Sequence, residues 1–170
     1  MKNNMLSEVE QRFILHWGQM GVQWGINRTV AQVHALLYLS PEPLHAEDLC
    51  EILGVARSNV STSLKELQGW GIVKKVPRLG DKRDHFTSIQ DVWELARIIL
   101  NERKKREIDP TIGVLRGCVA DAEADDATDA DSVKKLQALS EFLEMGSVWF
   151  DRMNRLPMPA VKAMIKLGRK

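Results

Sequence analysis

The order of elements between residues 27 and 89 restricts the fold of this chain more than any other feature. Within this stretch, apolar residues recur in three runs at the spacing of an α-helix. Proline or glycine follows each run. Both residues end helices, because proline lacks an amide donor and glycine tolerates the left-handed backbone of a helix exit. These breaks lie at Pro41, Pro43, Gly54 and Gly69. The chain therefore predicts three short helices in close succession, the first capped by Asn27.

Two short apolar runs after the third helix predict a β-hairpin. They cover residues 72–76 and 86–89 and flank a polar loop, 77–85, which contains the turn-forming pair Gly80 and Asp81. The loop carries three bases, Arg78, Lys82 and Arg83. Three helices followed by a basic hairpin are what a winged helix-turn-helix requires. We therefore expect a mainly α fold with a wing of two or three β-strands and flanking dimerisation helices.

The outer face of the third helix is suited to reading DNA bases. Its apolar stripe, Val60, Leu64 and Leu67, leaves short hydrogen-bonding side chains on the opposite face. These are Ser58, Asn59, Ser61 and Thr62. A merely solvated helix face is the alternative interpretation of this pattern, and the basic hairpin beside it favours DNA contact.

Basic residues near this helix predict phosphate contacts. Residues 55–87 carry seven bases and three acids, although the formal net charge of the whole chain is only +1. Arg57 and Lys65 can neutralise phosphates at the helix ends, and the three bases of the hairpin can reach the backbone or the minor groove. We expect the neighbouring Asp81 and Asp84 to pair with and orient the arginines. His85, beside the hairpin, is a further candidate for DNA contact.

Amphipathic helices flank the winged segment. Stripes spaced by three or four residues run from Leu6 to Trp24 and from Leu136 to Met153, which suits packing on another helix or on a second copy of the chain. We therefore predict a dimerisation helix in residues 1–26, a DNA-binding domain in residues 27–90 and a helical dimerisation region in residues 91–170. Within the last region, Asp109 and Pro110 predict a fresh helix cap, and the acidic residues 121–131 a solvated turn.

Other residues suggest little further chemistry. Four of the five tryptophans are candidates for an aromatic effector pocket, although helical spacing equally predicts core or dimer packing. They are Trp17, Trp24, Trp93 and Trp149. No histidine has neighbours at metal-ligand spacing, so we expect no metal and no cofactor. Cys50 and Cys118 are expected to be reduced and buried as small hydrophobic residues.

Three motifs resemble those of one regulator family. They are the segment 53–67, LGVARSNVSTSLKEL, the segment 70–73, WGIV, and the segment 80–84, GDKRD. Together they resemble the GbsR branch of the MarR-like transcriptional regulators, and the likeness covers roughly residues 27–99. The resemblance implies a homodimer whose terminal helices form the dimer layer and whose two winged domains address a pseudo-palindromic operator. Some regulators of this kind respond to choline-like cations. Ala56 departs from the family, whose members often have a capping serine there.

The sequence thus predicts a DNA-binding transcriptional regulator, most simply a repressor, that binds double-stranded DNA as a homodimer and is open to modulation by a small-molecule effector. The alternative is a winged-helix module that binds another protein, since the fold alone does not fix the function. We find no nucleophile motif and no glycine-rich phosphate loop, so we do not expect an enzyme. No apolar run is long enough to span a membrane, which favours a cytoplasmic protein.

Overall fold

The computed structural model describes residues 6–167, and the contacts divide the chain into two compact units, Met1–Ile98 and Ile99–Lys170. The first five residues of the predicted amino-terminal region lie outside the described residues. The first unit contains helices α1 (Glu8–Gln23), α2 (Arg28–Leu39), α3 (Ala46–Leu53) and α4 (Arg57–Gly69), the strands β1 (Leu44–His45), β2 (Val73–Arg78) and β3 (Asp81–Ser88), and the start of α5 (Val92–Arg103). This element order confirms the predicted winged helix-turn-helix.

The core of the first unit lies where α2, α3 and α4 meet. Its fully buried side chains come from all three helices and from the residue before β2, namely Val33, Leu37, Leu49, Val60, Leu67 and Ile72. Asn27 caps α2 as predicted, and Gly54 ends α3 with a φ of +63°. Ala56 precedes α4 without a side-chain cap, as the sequence indicated. The buried apolar faces therefore hold α4 in place without help from a capping hydroxyl.

Helix α1 packs on α2 through its small residues. Ser7 and Glu10 form a capping box at its start, which sequence reasoning overlooked. Its buried residues are Ile14, Gly18 and Gly21, whereas Val9 and Trp24, which belong to the predicted stripe, are exposed. The two glycines allow α1 and α2 to approach closely. Because α1 packs through this face, part of the predicted apolar stripe of α1 is exposed to solvent.

The wing is a three-stranded antiparallel sheet in the order β1-β3-β2. Its strands are longer than predicted, because β3 pairs with β1 on one side and with β2 on the other. Most of the predicted loop 77–85 is therefore strand, and only Leu79 and Gly80 form the turn. Pro77 is accommodated where the register shifts between Val76 and Arg78.

The second unit consists of helices. It contains the end of α5, a π-helical turn (Lys104–Ile108), α6 (Asp109–Ala124), α7 (Ala130–Arg155) and α8 (Met158–Leu167). The predicted fresh cap at Asp109 is wrong, since Asp109 has helical backbone angles and the chain stays helical through the π turn. A π turn shifts the backbone pairing register, which suits the position of Pro110, where no amide can donate. The acidic turn is shorter than predicted, at residues 125–129.

Helices α6 and α7 pack against each other, with Ile112, Ala122 and Ser140 buried and Arg116 Nε donating to Glu144 Oε1 at 2.6 Å. Cys118 lies beside the covered face of α6 and is exposed, which corrects the expectation that both cysteines are buried; Cys50 is half-buried. None of the helices in residues 6–167 is long and apolar enough to cross a membrane.

Candidate nucleic-acid interface

The polar outer face of α4 is fully presented to solvent. Core packing of Val60, Leu64 and Leu67 fixes the rotation of the helix about its axis. The predicted base-reading and phosphate-binding side chains of α4 all lie on the exposed side, namely Arg57, Ser58, Asn59, Ser61, Thr62 and Lys65. Ser63, which was not a candidate, is buried. The helix therefore offers short donors and acceptors over almost two turns.

A groove separates α4 from the wing. Its volume is about 260 Å³, and bases from both sides line it, namely Arg57, Lys65, Lys75 and Arg83. Lys75, on β2, was missed by sequence reasoning, because strand alternation puts it on the same face as the buried Val73 and so gives no signal of its exposure. The groove thus brings helix and wing cations together on one face of the first unit.

Carboxylates hold several of these bases. Arg57 Nη1 donates to Glu47 Oε1, and Lys75 Nζ lies 2.6 Å from Asp84 Oδ2. The hydrogen bond from Arg57 lowers the pKa of the Glu47 carboxyl. The sequence predicted that Asp84 pairs with an arginine. In the structure it pairs with Lys75 instead.

Arg83 is the most constrained base of the wing. Its Nε lies 2.9 and 3.1 Å from the two carboxylate oxygens of Asp81, and its backbone N–H donates to the same residue at 3.0 Å. The guanidinium holds the pKa of the Asp81 carboxyl well below its usual range. Asp81 thus orients Arg83, as predicted. Arg78 and Lys82 are exposed on the wing, and Arg78 lies 3.9 Å from Glu42.

His85 does not lie on the DNA-facing surface. It is only 2% exposed, and its Nδ1 lies 3.1 Å from the backbone oxygen of Arg83. Direct contact of His85 with DNA is therefore corrected to an internal role. His45, which sequence reasoning left without a role, packs edge-on against it with ring centroids 5.6 Å apart. The three-residue spacing of His45 and Asp48 was the available signal, since it is the spacing of a capping box.

The candidate effector tryptophans are divided between the two units. Trp17 and Trp24 are edge to face with centroids 6.3 Å apart, and Trp17 also stacks on Phe13. Trp93 is half-buried on α5 in the first unit, and Trp149 is 64% exposed on α7 in the second. Among residues 6–167 we find no group of histidine, cysteine and acidic side chains that could hold a metal ion.

Comparisons with known proteins find transcriptional regulators. Two relatives come from Bacillus subtilis (strain 168). The HTH-type transcriptional repressor GbsR is 23% identical over 136 residues, which cover 78% of this chain and 75% of GbsR. The putative HTH-type transcriptional regulator YvaV is 23% identical over 90 residues, which cover 53% of this chain and 51% of YvaV.

A solved structure, described as that of a transcriptional regulator, has the same fold. It superposes with a TM-score of 0.64 at 16% identity and covers 86% of this chain and 95% of its own. The family model described as MarR family matches residues 24–84, which run from the end of α1 through α4 to the middle of β3. The match to the MarR family model confirms the resemblance inferred from the three motifs.

Proposed function

We propose that this chain is a transcriptional regulator that binds double-stranded DNA as a homodimer. The observation that carries the proposal is the groove between α4 and the wing, where an exposed face of serine, asparagine and threonine stands beside four bases. Short polar side chains on a helix can enter the major groove, and surrounding cations neutralise the phosphates on either side. The MarR family match and the names of the two relatives support the same function.

The roles of the residues divide by position. Base edges are contacted by the exposed polar side chains at the start of α4, namely Ser58, Asn59, Ser61 and Thr62. Arg57 and Lys65 contact phosphates beside that helix. On the wing, Arg78, Lys82 and Arg83 contact the backbone or the adjacent minor groove.

We infer that the regulator represses by occupying its operator in the cytoplasm, in line with the name of GbsR as a repressor. A dimer uses both recognition helices only when they match half-sites about one helical turn (~34–36 Å) apart. A small-molecule effector would act by changing this separation, because a ligand shifts an equilibrium only through its different affinity for the two states.

The dimer we propose uses the exposed apolar face of α7. Four large side chains recur there at spacings of three or four residues, namely Leu139, Phe142, Met145 and Trp149, and each is at least 48% exposed. The stripe predicted from the sequence shares Leu139 with this face and otherwise lies beside it. Its other large apolar members are already half-buried, namely Leu136, Leu143, Phe150 and Met153. A contiguous exposed apolar face of this kind is typical of a protein interface.

Fluorescence anisotropy tests the proposed function. The full chain is titrated onto a duplex from its own upstream region and onto a shuffled duplex, across a salt series. We expect selective binding to the first duplex and a steep negative slope of log affinity against log salt, because each neutralised phosphate releases counterions. Weak and equal binding to both duplexes, with and without candidate effectors, would contradict the proposal and favour a protein-binding module.

A further inference from the structure

The imidazole of His45 connects the wing to the helices of the DNA-binding face. His45 ends β1, pairs with His85 of β3 across the sheet, and is the N-cap residue of α3. Its side chain is only 13% exposed. The imidazole therefore makes its hydrogen bonds mainly with protein groups rather than with water. The position of the ring proton determines which of these groups the imidazole binds.

Four polar contacts surround the two ring nitrogens. Nδ1 lies 3.1 Å from Glu47 Oε2 and 3.2 Å from the backbone nitrogen of Asp48. Nε2 lies 2.8 Å from Arg83 Nη1 and 3.3 Å from Asp48 Oδ1. Each ring nitrogen thus faces one donor and one acceptor, so protonation decides which contact is a hydrogen bond.

The neutral ring can link Arg83 to α4. A guanidinium can only donate, and its contact with Nε2 is the shortest of the four, so Nε2 accepts and the ring proton lies on Nδ1. In this tautomer Nδ1 gives up the capping hydrogen bond that it otherwise accepts from the Asp48 backbone N–H at 3.2 Å. Nδ1 then donates to Glu47, which also accepts a hydrogen bond from Arg57. A continuous series of hydrogen bonds therefore runs from the wing, through His45 and Glu47, to the first residue of α4.

Protonation of the ring breaks this connection. Both nitrogens then carry a proton, and Glu47 and Asp48 are in place to accept them. Arg83 Nη1 loses its acceptor and faces a second positive charge 2.8 Å away. Asp81 still holds the other side of the guanidinium, so the arginine is released at one end only. His85, on the same strand as Arg83, is a second histidine at this cluster, and its Nε2 lies 3.6 Å from Asp81 Oδ2.

We propose that neutral His45 is a positioning residue that fixes Arg83 of the wing for DNA, and that protonation of His45 weakens DNA binding. The inference rests on the proposed function and adds a direction to it. A positive charge gained near DNA ordinarily strengthens binding, because it neutralises phosphates. Protonation of His45 has the opposite effect on DNA affinity, since it removes the acceptor that holds the Arg83 guanidinium in position.

Anisotropy at constant ionic strength, between about pH 8 and about pH 6, tests the proposal on the upstream duplex. The affinity of the wild type is expected to fall several-fold on acidification, up to the roughly tenfold that the loss of one hydrogen bond to a charged group represents. His45→Gln keeps an oxygen that can accept from Arg83, so it retains the affinity seen at about pH 8 and loses the pH dependence. His16→Gln, at an exposed site on α1, is the matched control and keeps the wild-type pH profile.

His34, a buried histidine on α2, does not interfere with this titration. Burial lowers the pKa of His34 to about 4, so its ring stays neutral over the whole range. Circular dichroism at both ends of the range verifies that each variant is folded. A wild-type affinity that is constant or rises on acidification overturns the proposal. A loss of affinity that persists in His45→Gln overturns it as well and assigns the effect to His85.

Nitrogen-15 NMR of the His45 ring provides a second measurement that needs no DNA. The expected neutral tautomer has its proton on Nδ1 and an unprotonated Nε2, and a ring protonated on Nε2 overturns the positioning role. Failure of the wild type to bind any duplex at about pH 8 would instead contradict the proposed function. In that case the tautomer measured by NMR would still show whether the His45 ring accepts a hydrogen bond from Arg83.

Discussion

At the scale of single residues, His34 shows how burial sets the chemistry of a side chain. It is 4% exposed between the tilted rings of Trp17 and Tyr38, and its Nε2 lies 3.2 Å from the hydroxyl of Ser88. Burial disfavours the charged imidazolium and lowers the pKa to about 4. The sequence placed His34 on a helix that is apolar over most of its circumference, but it did not indicate the serine that accompanies it.

This shift makes the stability of the fold dependent on pH. The unfolded chain binds a proton at His34 below about pH 6.5, whereas the folded chain does so only near pH 4, so stability falls as the pH drops through this window. Between about pH 7.5 and about pH 5 the loss is about 2 kcal/mol. In His34→Phe we expect the difference in unfolding free energy between these two pH values to shrink by that amount, as measured by urea titration. An unchanged difference would show that other groups produce the pH dependence.

Asn59 and Arg83 are expected to contribute differently to DNA binding. Asn59→Ala should relax the preference at one operator position by about 1–3 kcal/mol, because the amide reads a base edge. Arg83→Ala should weaken binding to all sequences alike and reduce the salt slope by roughly one. Anisotropy on duplexes with single base changes measures both effects. If the two variants lose sequence preference equally, the assignment of base reading to α4 and phosphate contact to the wing is wrong.

At the scale of elements, the contact between α1 and α2 depends on the absence of side chains. A Cβ atom on Gly21 would lie 2.6 Å from Ala31 Cβ, and one on Gly18 would lie 2.8 Å from Gln32 Cγ. Both distances are too short for carbon atoms in contact. The three-residue spacing of the glycines puts them on one face of α1, so the helices meet where the sequence shows no apolar side chain.

Gly21→Ala tests this contact against a matched glycine. Alanine normally stabilises a helix interior by roughly 0.5–1 kcal/mol relative to glycine. At Gly21 the clash with Ala31 should reverse the sign and destabilise the protein by about 1–3 kcal/mol. Gly117→Ala, within α6 and with no atom within 4 Å of the new Cβ, should show the ordinary gain. Chemical denaturation compares the two, and a gain at both sites would contradict the close packing of α1 on α2.

At the scale of the whole molecule, assembly depends on which apolar residues remain exposed after folding. The sequence predicted a stripe from Leu136 to Met153 as the packing surface of α7. In the structure α7 packs on α6, and the exposed apolar face, centred on Phe142 and Trp149, lies beside that stripe. We expect a second copy of the chain to cover this face.

Phe142→Glu should therefore yield a monomer, since a charge buried at an apolar interface lacks a partner. Size-exclusion chromatography with light scattering measures the mass. Val148→Glu replaces a residue of the same helix that is also half-exposed, but on another face, and should leave the dimer intact. A dimeric Phe142→Glu would place the interface elsewhere. A wild type that is already monomeric would contradict the homodimer.

The sequence by itself determined the helices of the winged domain, the polar outer face of α4 and the resemblance to the MarR family. These features depend on periodicity, caps and breaks within a few residues, and such local signals survive without knowledge of the fold. Only the tertiary structure decided that His85 is buried, that the wing strands extend almost to Gly80, and that His45 meets Arg83, 38 residues further along the chain. Contacts of this kind join residues that no periodic pattern relates, because the packing of distant segments brings them together.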